Sequence, residues 1–162
     1  MRQAAEFDYL TKVYNRKSFM YKIKEILKLS KRYKQKTSIL YFDINNFKQV
    51  NDTHGHLVGD EVLKFFTNNI KLSIRESDLL GRIGGDEFVL ALPNTDQNSI
   101  KIIIDKIQKK FKKPFEYDGI TIKVGFSYGC AIYPDDSDNI DKLIEIADKR
   151  MYKYKSNFKK NL

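Results

Sequence analysis

A chain of 162 residues, 41% of them hydrophobic, carries enough apolar side chain for one sizeable core and too little length for a second independent domain beside it. Its formal net charge of +9, from 30 Lys and Arg against 21 Asp and Glu, suits an anionic partner such as a nucleotide, a nucleic acid or a membrane headgroup, without choosing among them. The lone Cys130 excludes an internal disulfide, and with no apolar signal core and no run near the ~20 residues of a membrane span, a soluble, cytoplasmic chain is expected.

Apolar Phe19, Ile23, Ile26, Leu27 and Leu29 recur among Lys and Glu, so Asn15 to about Lys34 reads as an amphipathic helix. TSILYFDI, Thr37 to Ile44, is β-branched and aromatic and reads as a buried strand that ends in an acid. NNFKQVND follows as a short helix or turn, and His56 to about Ser73 as a long helix with Leu57, Val62, Leu63, Phe65, Phe66 and Ile70 inward. Asp78 to Ile83 and Glu87 to Leu92 stand too close for a crossover helix, which predicts an antiparallel hairpin whose turn needs Gly84 and Gly85. Asn94 to Lys112 is a third helix capped by Asp96 or Asn98, Ile120 to Ile132 alternates into one or two strands, and Asp138 to about Lys155 closes as a helix. This order predicts an α/β fold, with a mixed sheet in the ferredoxin-like style and helices packed on it.

On that topology Asp43 ends the central strand and the hairpin turn brings Asp86 and Glu87 beside it. Clustered carboxylates repel unless a cation is present, and their oxygens suit Mg²⁺ together with substrate phosphates. Taken singly, a Gly-Gly-Asp turn is common and an acid after a strand is often a helix cap; the combination is what points to a phosphoryl- or nucleotidyl-transfer site.

GGDEF, Gly84 to Phe88, and FDINNFKQVNDTHGHLVGDEVL, Phe42 to Leu63, resemble the diguanylate cyclase family. The resemblance extends to DYLTKVYNRKSF near the start, to SYGCAIYP from Ser127 to Pro134 and to ADKRMYKYK from Ala147 to Lys155, and so covers nearly the whole chain. It implies a palm-like nucleotidyl cyclase fold with a mixed, mainly antiparallel central sheet over 8–162, and the end of a linker or signalling helix over 1–7. The implied reaction condenses two GTP into cyclic di-GMP and two pyrophosphates in a homodimer of half-sites, each 3′-hydroxyl attacking the α-phosphate held by the other subunit.

Carried over residue by residue, the resemblance makes Asp43, Asp86 and the Ile44 carbonyl the ligands of Mg²⁺, or of Mn²⁺ in its place. Asp86 takes the proton of the attacking hydroxyl, with Glu87 as a required neighbour or alternative base. Asn51, His56 and Asp60 match substrate-binding positions, and one Asp60 carboxylate offers two acceptors to the N1–H and N2–H₂ donors that guanine has and adenine lacks. Asn45 to Lys48, with Phe47 among them, begins a short helix whose free N–H groups would meet phosphate, and Lys48, Lys155 and, in place of a more distal arginine, Lys159 match basic phosphate-contacting positions. Gly84 and Gly85 let backbone and phosphate approach closely. Arg75 and Asp78 read R-x-x-D, with five residues between Asp78 and Gly84, and match a site where cyclic di-GMP inhibits its own synthesis; by itself this pattern is usually a helix-end ion pair.

The chain departs from the family pattern at Lys12 and Val13, at Asn45 where an acid is common, and at Lys159 where arginine is common. The alternative is a GGDEF-type domain that senses GTP or cyclic di-GMP without turnover. No RNA or DNA motif frames the aromatic residues, so nucleic acid is not expected as a partner. An N-terminal sensory domain, and with it the membrane attachment of a longer protein, is expected to lie outside this sequence.

Overall fold

Asn15 starts the first helix by accepting the Ser18 N–H on its side-chain oxygen, and α1, Arg16–Tyr33, then buries Phe19, Ile23 and Leu27. The structure, a computed structural model, describes residues 5–160. β1, Thr37–Ile44, is buried along its whole length because it lies between β3 and β6 and carries helices on both faces. After it come α2 (Phe47–His54), α3 (His56–Lys71), β2 (Leu79–Arg82), β3 (Glu87–Leu92), α4 (Gln97–Lys110), β4 (Phe115–Tyr117), β5 (Ile120–Ile122), β6 (Phe126–Tyr133) and α5 (Ile140–Lys160).

The main sheet runs β2-β3-β1-β6. All its strand pairs are antiparallel, and the parallel component is a bridge from Tyr14 to Gly81. Side chains alternate across β1, so Leu40, Phe42 and Ile44 face one core with Phe66 and Ile70 of α3 and Ile104 and Ile107 of α4. Ile39 and Tyr41 face a second core with Phe19 and Ile23 of α1 and Leu143, Ala147 and Met151 of α5. Burying each such side chain contributes about 2 kcal/mol, which makes β1 the part of the chain whose register is hardest to slip.

The expected element order holds, with three corrections. Leu29 and Leu57 are 53% and 69% exposed, because each lies only one or two residues from a buried partner, Leu27 or Val58, and helical rotation turns it outward. The stretch from Ile120, expected as one or two strands, is two: β6 joins the main sheet, while β5 pairs with β4 in a separate two-stranded sheet, around Asp118 and Gly119 with φ of 49° and 77°. β4 itself was not anticipated, since three residues after Pro114 are too short to show a period. Finally, the hairpin turn at Gly84 and Gly85 does not need glycine for its backbone: among the described glycines the positive φ angles are at Gly55 and Gly119.

Gly129 on β6 is where a missing side chain matters. A Cβ there would run into the Ala147 carbonyl and the Met151 nitrogen, so α5 lies directly on the strand and is held at a fixed height over the sheet.

Candidate functional site

The antiparallel register of β1 and β3 sets Asp43 opposite Glu87, and the Ile44 N–H donates to the Asp86 carbonyl at 3.3 Å. Asp43 is buried, its Oδ2 accepting from Lys155 Nζ at 2.8 Å while its Oδ1 has no protein partner. Burial pushes the Asp86 carboxyl up to about 6, and the hydrogen bond and charge of Asp43 add to the effect. The ion pair with Asp43 raises Lys155 above its ordinary value, so this ammonium stays charged.

Of the three acids expected to converge, Asp43 and Asp86 meet. Glu87 stands beside them without completing a cluster: its Oε2 accepts from the Tyr41 hydroxyl at 2.7 Å, and its charge adds to the rise at Asp86. Among the described residues no three His, Cys, Asp or Glu side chains form a metal cage. The Asp43–Asp86 pair still fits a hard divalent cation: it offers oxygen donors, one of them buried and unpaired, and two carboxyls whose repulsion a cation would relieve. Ile44, the expected main-chain ligand, is the last residue of β1 beside them.

The signature turn is held by a clamp that the sequence reading missed. Arg82 donates through Nη2 to the Gly85 carbonyl at 2.8 Å and through Nε to the Gly84 carbonyl at 3.2 Å. Its Nη1 meets Asp8 Oδ2 at 3.1 Å, and Asp8 in turn accepts from the Thr11 N–H and hydroxyl. The signal available was DYLT at the start together with an arginine two residues before Gly84. A Cβ at Gly85 would meet nothing within 4 Å, so this glycine leaves open space beside the acids; one at Gly84 would lie 3.1 Å from Glu87 Oε2.

The expected nucleotide residues lie on α2 and α3. Asn46 enters α2 at φ 58° with no side-chain cap bond, which leaves the first N–H groups, at Phe47 and Lys48, without a side-chain acceptor. Asn51 packs against Gly59, where a Cβ would strike its Oδ1, and that oxygen is buried without a partner. Asp60, the next residue along α3, is exposed, as are His56 and Lys48. A cleft of about 540 Å³ lies on the other flank of α2, lined by Gln49, Thr53, His54 and Lys123 among others. Asn51, Asp60 and Asp86 do not line it, so the predicted residues form an open surface and not that cavity.

Asn45, the departure beside Asp43, accepts from the Ser127 hydroxyl at 2.7 Å and so ties the end of β1 to β6. Lys159 falls in α5, with its side chain outside the described residues. Of the linker expected over 1–7, residues 1–4 lie outside the described residues as well.

Arg75 and Asp78 stand at the far end of β2 from the turn. The Arg75 N–H donates to Asp78 Oδ2 at 2.7 Å, and its Nη2 donates to Asp78 Oδ1 at 3.0 Å and to the Pro93 carbonyl at 2.8 Å. The Asp78 side chain is 1% exposed and Arg75 53%, so the arginine is the accessible half of the pair.

The family model "Diguanylate cyclase, GGDEF domain" matches residues 5–161. The chain is 30% identical over 156 residues to cyclic di-GMP phosphodiesterase NbdA of Pseudomonas aeruginosa, covering 96% of this chain and 20% of that protein. It is 38% identical over 125 residues to diguanylate cyclase A of Treponema denticola, covering 76% and 34%. Among solved structures, a shortened TpbB from Pseudomonas aeruginosa comprising only the GGDEF domain superposes with a TM-score of 0.90 at 33% identity, covering 93% of this chain and 89% of that one. The chain thus spans between about a fifth and a third of these curated relatives' length and nearly all of an isolated domain. With a signature turn beside the Asp43–Asp86 pair, an all-antiparallel main sheet and a match along nearly its full length, the chain belongs to the GGDEF, diguanylate cyclase, domain family.

Proposed function

We propose that this chain is a diguanylate cyclase that condenses two GTP into cyclic di-GMP and two pyrophosphates. The observation that carries the reading is the pairing of buried Asp43 with half-buried Asp86, with one Asp43 oxygen unpaired and the Asp86 carboxyl poised at about 6. A carboxyl near that value is mostly ionised at neutral pH yet basic enough to take a proton from an attacking hydroxyl, which suits Asp86 as general base. Glu87, fixed on Tyr41, is its neighbour in that work. Mg²⁺, or Mn²⁺, held by Asp43, Asp86 and the Ile44 carbonyl would supply charge stabilisation at the α-phosphate and the attacking oxygen.

Asp60 reads guanine through its two acceptors, with Asn51 and His56 beside it, while the uncapped start of α2 at Phe47 and Lys48 binds phosphate oxygens together with Lys155 and Lys159. These groups line an open surface, which suits a half-site completed by a second copy of the chain. Arg75, exposed and anchored by Asp78, grips the product in feedback inhibition. A sensory domain N-terminal to residue 8 would supply the input that brings two half-sites together. No helix of the described residues is long and apolar enough to cross a membrane.

The test is incubation of a concentrated sample with GTP and Mg²⁺, with cyclic di-GMP and pyrophosphate measured by chromatography. Two pyrophosphates accumulate for each cyclic di-GMP if the reading holds. Nucleotide binding without product, in a sample shown to be dimeric, would assign the domain to sensing GTP or cyclic di-GMP instead.

A further inference from the structure

Tyr41 and Glu87 are diagonal neighbours on one face of the β1–β3 ladder, since Tyr41 stands opposite Val89 and Asp43 opposite Glu87. A long aromatic side chain spans such a diagonal. The Tyr41 ring is 5% exposed, packed in the core between α1 and α5, and its hydroxyl ends 2.7 Å from Glu87 Oε2. Among the described residues no Lys or Arg forms an ion pair with Glu87, and the charged groups acting on the phenol besides Glu87 are Asp148 of α5 and Arg16 of α1.

The geometry points to Tyr41 as a positioning residue: its fixed hydroxyl anchors one oxygen of the Glu87 carboxylate and thereby aims the other toward the reaction beside Asp86. The physical reason is that a half-buried glutamate can still rotate about three bonds, and that Asp43 and Asp86 would repel it into unproductive rotamers. A charge-assisted bond to a donor locked by packing removes that freedom without adding a second positive charge to the site. This inference rests on the proposed cyclase reading, which it deepens. It goes beyond it by assigning a role to a side chain that touches neither nucleotide nor cation.

Tyr41→Phe keeps the ring in the core and deletes only the hydroxyl. The expected result is a kcat lower by about tenfold with KM for GTP unchanged and a melting temperature within about 2 °C of the parent. In a Glu87→Gln background the same substitution should have little further effect, because the two residues act as one unit. The Glu87 side-chain carboxyl ¹³C resonance should shift in Tyr41→Phe, a readout that needs no turnover. An unchanged kcat, an equal loss in the Glu87→Gln background, or a fall in melting temperature that tracks the fall in kcat would each overturn the proposal. Should the parent protein make no product, the cyclase reading fails by itself; a shifted Glu87 resonance then upholds the anchoring and an unshifted one overturns it.

Discussion

Lys155 reaches across from α5 to close an ion pair of 2.8 Å on Asp43, a residue 112 positions earlier in the chain. The pair neutralises an acid that is buried at the end of the central strand and leaves its second oxygen available. Lys155→Gln strands that charge and should cost about 2 kcal/mol of stability in metal-free buffer. Millimolar Mg²⁺ should restore more of the melting temperature in the variant than in the parent, since the cation then has an uncompensated acid to bind. Thermal melts with and without Mg²⁺ check this, and equal Mg²⁺ shifts in both proteins would count against it.

Asp86 presents the opposite electrostatic case. Its folded-state carboxyl is raised from 3.8 to about 6, so the folded state favours the protonated form. Stability linked to this group is therefore present below 3.8 and is lost as pH rises through about 6. Asp86→Asn should abolish turnover and yet raise stability at neutral pH by about 1 kcal/mol, a figure reduced for the group's partial exposure. The gain should fade as pH falls toward 3.8, which melting curves recorded across that window in the absence of divalent metal would reveal.

Arg75 is expected to have two separable effects. Arg75→Ala should release product inhibition, so that a progress curve no longer slows as cyclic di-GMP accumulates. It should also lower stability by about 1 kcal/mol, because buried Asp78 loses the guanidinium but keeps the main-chain N–H of residue 75. A progress curve that slows at the same product level as the parent would remove Arg75 from the inhibitory role.

Gly129→Ala tests how α5 is held over the sheet. The added methyl meets the backbone of α5 at Ala147 and Met151, which cannot yield as a flexible side chain would. The expected cost is about 1–3 kcal/mol, together with a raised KM for GTP as Lys155 moves with its helix. Unaltered melting and KM would show that the helix shifts freely on the strand.

Much of this molecule could be read before its structure. A short β-branched and aromatic run located β1 and a helical period located α1 closely, because a strand buried on both faces and a helix with one apolar stripe each leave a strong pattern. Leu29 and Leu57 show the limit of that reading, since apolar character alone does not say which side of a helix a residue occupies. The three residues of β4 were too few to carry a period, and only their pairing with β5 makes them a strand.

The sequence by itself determined the element order, the family and the chemical identity of the site's side chains, because these depend on local periods and on ordered motifs. Tertiary structure alone decided how those side chains are used. It joined Asp43 to Asp86 and Lys155, turned Glu87 onto Tyr41, and braced the Arg82 that holds the signature turn against Asp8, 74 positions earlier. The physical reason is that hydrogen bonds and ion pairs act over a few ångströms, so their partners are selected by strand register and by the height at which a helix rests on the sheet.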